Sequence, residues 1–189
     1  MGAPMRFFFD EAKAAQATAY LLTKHGGKMK YMALIKLLYL ADRRALVEIG
    51  RSITGDEMVS MPHGPVLSMV YELINLGPKD EARPSPWFKY VKRDGRYHVS
   101  LAEEAPSLDD LSPYETRVMD EIDERYGRMQ LWDLVEFTHA LEEWVDPEGS
   151  SRRIDPETIL RSENKSQEEI ERIGKIAREI RFIQSVRPR

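Results

Sequence analysis

Residues 28–50 read KMKYMALIKLLYLADRRALVEIG, and the period of this stretch decides the fold class. Met32, Ile35, Leu38, Tyr39, Asp42 and Leu46 share one helical face, and Leu34, Leu37 and Ala41 widen it. So broad an apolar face belongs to a helix buried on most sides. The rest of the chain must therefore wrap around it. Gly50 supplies the C-terminal stop.

On the N-terminal side, Asp10 can cap a helix over about 11–24 with Ala14, Ala17 and Leu21 as its stripe, and His25-Gly26-Gly27 ends it. On the C-terminal side comes GDEMVSMPHGPVLSMVYELINLG, residues 55–77. Its first part, Glu57–Met61, reads as a short extended piece. Pro65 reads as the first residue of a helix striped by Val66, Met69, Val70 and Leu73 and closed by Gly77-Pro78. Pro62-His63-Gly64-Pro65 then reads as a joint turning a strand into a helix, with His63 at the corner. Two prolines fix φ there, and Gly64 permits a backbone conformation other residues resist.

Further along, the period changes. Trp87–Lys92 and Arg96–Leu101 are rich in aromatic and β-branched residues around Asp94-Gly95, a hairpin signal. Ser112-Pro113-Tyr114-Glu115 opens a helix to about Tyr126 with a capping box. QLWDLVEFTHALEEW, residues 130–144, reads as the next helix, and Asp155-Pro156-Glu157 starts a short one. Ser166 caps a last helix in which Ile170, Ile173, Ala177, Ile180 and Ile183 recur at three-to-four spacing. That stripe must pack on its own domain, on a second copy in a homodimer, or on a partner. The predicted fold is mostly α with a small β element: a compact multi-helix domain over 1–162 with one hairpin, inserted at about 86–101, a short strand, and an amphipathic helical extension over 163–189.

The 189 residues suffice for one sizeable core. With 42% apolar and 32% charged residues, the composition is that of a soluble globular protein. No cysteine is present, which excludes disulfides, thiolate nucleophiles and Cys-ligated zinc and fits a cytoplasmic protein. No apolar run approaches the roughly 18 residues of a membrane span. Early residues MGAPMRFFFDEAKA meet an acid too soon for a secretory leader. The net charge of −4 is unevenly spread, because residues 101–148 hold 15 acidic against 3 basic side chains. This block is either a set of solvated helix faces or a docking face for a basic partner.

Groups able to do chemistry are few and scattered. His25, His63, His98 and His139 form no metal-ligand pair. No GxSxG elbow, Walker loop or GxGxxG occurs. Gly26-Gly27 is explained by a helix stop. Glu142 and Glu143 point about 100° apart on a helix and read as a solvated helix end, with His139 one turn away. The residues predict no enzyme, no cofactor and no metal.

One pattern stands out against this background. Lys36-Leu37-Leu38-Tyr39-Leu40-Ala41-Asp42 resembles the KLLY-(F/L)-A-(D/E) helix of the SocA-like Panacea domain. Gly50-Arg51-Ser52-Ile53 and then Gly64-Pro65-Val66 with Tyr71 are similar to the family's second block, and Thr138-His139, Trp144 and Asp155–Leu160 to its later part. The resemblance covers about 1–162. It departs at His63, where the family usually carries an aromatic residue, and in the hairpin and the helix after Asn164.

The resemblance implies an antitoxin of prokaryotic or phage origin that neutralises a cognate protein toxin, encoded by the adjacent gene, through direct binding and without catalysis. Another mode implied by the family is an adaptor delivering the toxin to a protease. On this reading Lys36, Leu37, Tyr39, Ala41, Asp42, Gly64, Pro65, Val66 and Tyr71 form the structural motif. Toxin contacts are expected at Met58, Met61, His63, Ile170, Ile173 and Ile180. The alternative is a winged-helix DNA binder using Lys89, Lys92, Arg93 and Arg96 on phosphates, which the overall acidity opposes.

Overall fold

The computed structural model describes residues 4–76, 85–102 and 107–186, with side chains to 183. Among the described residues, 56% are helical, in eight helices, and two small three-stranded antiparallel sheets are present. Helix α1 (Glu11–Lys24) starts where the Asp10 carboxylate accepts the Lys13 N–H at 3.0 Å. Strand β1 (Lys28–Lys30) leads into α2 (Tyr31–Ile49), whose buried residues include Leu34, Ile35, Leu37, Leu38, Tyr39 and Leu46. Around this central helix lie α1, α5 (Pro113–Tyr126), α6 (Leu131–His139) and α7 (Pro156–Ser162). α5 opens with the expected capping box between Ser112 and Glu115.

Strands β2 (Met58–Met61) and β3 (Gly64–Leu67) form a hairpin, which β6 (Arg152–Arg153) joins on the other side of β2. This corrects the expected reading of Pro62–Pro65 as a strand-to-helix joint. Gly64 has φ +92°, a conformation no helix contains. Pro65 lies on edge strand β3, where its missing N–H costs no ladder bond on the open side. Helix α3 (Ser68–Leu76) begins three residues later than expected. Asp56 starts it by accepting the N–H groups of Met69 and Val70 at 3.0 and 2.9 Å. The expected closure at Gly77-Pro78 lies outside the described residues.

The second sheet has the order β1-β5-β4 and contains the predicted hairpin, β4 (Val91–Asp94) with β5 (His98–Leu101). Two expectations are revised here. Residues Trp87–Tyr90 are not strand but the short helix α4 (Pro86–Tyr90), which buries Trp87 against α1 and is tied down where Glu11 accepts the Trp87 N–H. Residues 28–30 are not helix but a strand paired to β5, with Met29 buried and both lysines outward. The last helix, α8 (Gln167–Val186), sends Ile170, Ile173 and Ala177 into the same core as α2. Ile176, Phe182 and Ile183 of the same helix are exposed.

Candidate partner-binding face

The tip of the β2–β3 hairpin is held by an unusual anchor. Lys36, fully buried on α2, donates from Nζ to the Pro65 carbonyl at 2.9 Å. No carboxylate pairs with this amine, and burial alone pulls its pKa from 10.5 down to about 7. Gly64 must be glycine for two reasons. Its φ is positive, and a Cβ would lie 2.6 Å from Lys36 Nζ and 2.8 Å from Thr138 Oγ1. The hairpin thus closes directly onto α2 and α6.

Three other buried polar groups shape the same region. Asp42 accepts the N–H groups of Ile53 and Thr54, both at 3.0 Å, and so fixes the loop after Gly50. Burial, opposed by these hydrogen bonds, still raises its carboxyl to about 7. Asp56, the group that starts α3, is raised to about 6 by burial in the same way. Glu143 accepts from Tyr39 Oη at 2.7 Å and from Arg43 at 2.6 and 3.2 Å. The expected solvated end at Glu142-Glu143 is therefore corrected for Glu143. Its carboxylate turns inward, α6 ends at His139, and the chain continues as a turn.

That turn builds an aromatic platform. His139 stacks on Trp144 with centroids 4.1 Å apart, and Trp144 Nε1 donates to the Met61 carbonyl at 3.1 Å. His139, one turn from Glu143 in the sequence, is engaged by this stack. Its ring is held below the ordinary histidine pKa by burial and then by the nearby Lys36 cation. Beside the platform, the edge of His63 meets Trp132, centroids 5.8 Å apart, and Trp132 is 61% exposed. A cleft of about 250 Å³ opens under the hairpin tip, bounded by Tyr31, Met32, Met61, His63 and Tyr71.

The family-motif residues Lys36, Leu37, Tyr39, Ala41, Asp42, Gly64, Pro65 and Val66 are all buried, and Tyr71 is half-buried at the cleft. The residues expected to touch a toxin divide. Met58, Ile170 and Ile173 are 4%, 2% and 8% exposed and belong to the core, so they present no surface to a partner. Ile173 fills the space beside Gly50, at the end of α2. Met61, His63 and Ile180 reach the surface. Sequence reasoning passed over Trp132. Its signal was position: it lies off the stripe of Leu131, Leu134, Val135 and Thr138, so it cannot follow them inward.

Of the basic hairpin residues, Lys89, Lys92 and Arg96 are exposed and Arg93 is half-buried. Arg93 stacks over Tyr31 at 4.5 Å and donates to the Gly95 and Arg96 carbonyls of its own turn. Arg96 lies over Tyr97 at 5.2 Å, and Lys89 lies over Tyr90 at 5.0 Å. The histidines and acids form no cluster able to hold a metal among the described residues. No helix among those residues is long and apolar enough to cross a membrane.

No protein of curated function and no solved structure matches the chain. A family model does, described as antitoxin SocA-like, Panacea domain, and it spans residues 34–145. That span runs from the first turn of α2 through the anchor at Lys36 and the hairpin to the aromatic platform at Trp144. It covers more than half of the chain, which therefore belongs to the SocA-like Panacea domain antitoxin family.

Proposed function

We propose that this chain is the neutralising half of a toxin–antitoxin pair and acts in the cytoplasm by binding a protein toxin directly, without catalysing a reaction. The observation that carries this reading is membership of the antitoxin family over residues 34–145. A solvent-exposed tryptophan beside a small cleft supports it, because tryptophan is enriched among the residues that dominate protein–protein affinity. The stack of His139 on Trp144 beside it is held by the Trp144 hydrogen bond to Met61, and such preorganisation lowers the entropy lost on binding.

The test is co-expression with the open reading frame adjacent to this one. The neighbour alone should arrest growth, and the two together should restore it and elute as one complex. Restored growth without a stable complex would replace direct binding by delivery of the toxin to a protease. A harmless neighbour would contradict the reading outright.

A further inference from the structure

Residues 101–148 are strongly acidic, but the fold compensates only part of that charge. On α5, Glu115 pairs with Lys13 at 2.9 Å, Asp120 with Lys24 at 2.7 Å, Glu121 with Arg117 at 2.7 Å and Asp123 with His25 at 2.6 Å. On the core side, Glu143 pairs with Arg43. These carboxylates are matched from within the chain and offer little net charge to a partner.

The segment 130–151 differs. It contains no lysine or arginine, and its remaining acids, Asp133, Glu136, Glu142, Asp146 and Glu148, are exposed and form no ion pair among the described residues. Two of them flank the exposed Trp132 on its own helix, and a third lies near the platform. Glu136 lies one helical turn from Trp132 and next to Asp133 on the α6 surface. Glu136 and Asp146 are both near enough to His139 to act on its charge. The result is an exposed aromatic residue flanked on α6 by carboxylates that form no ion pair among the described residues. That arrangement is the complement of an apolar contact flanked by lysine or arginine.

We propose that Trp132, backed by His63, is the anchor of the toxin-docking face, and that Asp133 and Glu136 beside it, with Asp146 near the adjoining platform, recognise a basic surface on the toxin. This rests on the antitoxin reading above and adds to it the face and the chemistry of the partner. The anchor buries its indole in the toxin, and the carboxylates accept hydrogen bonds from the toxin's cations. The same charge disfavours nucleic acid as the occupant, since phosphates would be repelled.

The test measures association and dissociation rates between the purified chain and the product of the adjacent gene. Trp132→Ala should speed dissociation about 30-fold, the loss expected of a strong anchor. The triple variant Asp133→Lys, Glu136→Lys, Asp146→Lys should slow association at least about tenfold and remove its sensitivity to salt. Glu168→Lys with Glu171→Lys, on the exposed side of α8, should leave both rates unchanged. All these side chains are exposed, and circular dichroism confirms that each variant is folded. Wild-type rates in both the Trp132 and the triple variants overturn the docking face while leaving the antitoxin reading intact. A wild-type chain that binds nothing overturns both. A concentration-dependent dimer of the free chain that Trp132→Ala abolishes assigns the face to a second copy and also overturns the proposal.

Discussion

Lys36 has the least expected chemistry of any residue in the molecule. A lysine without a carboxylate partner, sealed from water, is more easily neutral than charged. Its pKa of about 7 has a consequence for stability. Between about 7 and 10.5 the unfolded chain binds a proton at Lys36 that the folded chain does not. Stability therefore rises with pH across that interval, by up to about 1.4 kcal/mol per pH unit, and levels off below about 7. Lys36→Met removes the titrating group, so urea unfolding should show a flatter profile for the variant from pH 7 to 9. Parallel profiles would mean that the amine stays charged in the fold. The sequence placed Lys36 on the helix that decides the fold but not the carbonyl that receives it. That contact joins residues 29 positions apart, and no local pattern encodes it.

Among the elements, the legible ones carry their own boundaries. α1, α5 and α7 begin at Asp10, Ser112 and Asp155, whose side chains cap the first turn. The elements read wrongly are those where pairing with a distant strand overrides local preference. β1 has helix-forming residues but gains the ladder to β5, and β3 has an apolar run that suits either state. Within α8, the stripe divides in a way periodicity alone does not show. Ile173→Asp should lower stability by several kcal/mol, because it places an unpaired charge in the core. Ile183→Asp, at a position 55% exposed, should change it by no more than about 0.5 kcal/mol. Chemical denaturation of the two variants checks this, and equal losses would contradict the packing of α8.

At the scale of the whole molecule, the fold uses one buried helix to organise two small sheets and an outer ring of helices. The charge map follows the same plan. Basic residues of α1 and α2 meet acids of α5 and of the turn after α6, and among the acids left over Asp133 and Glu136 flank Trp132. Half of this was legible. The acidic block was visible in the sequence as a choice between solvated faces and a docking face; the structure pairs Glu115, Asp120, Glu121 and Asp123 of α5 from within the chain and leaves the acids of 130–151 other than Glu143 unpaired among the described residues. Trp132 was not legible as a site, because its ring neighbour His63 comes from a hairpin far from it in sequence.

The central claim is neutralisation by direct binding, and titration tests it most directly. The purified product of the adjacent gene would be assayed for its toxic activity while this chain is added, with no other cellular component present. Direct binding predicts a linear loss of activity that ends at a fixed stoichiometric ratio. Undiminished activity at a large excess of this chain would contradict the account.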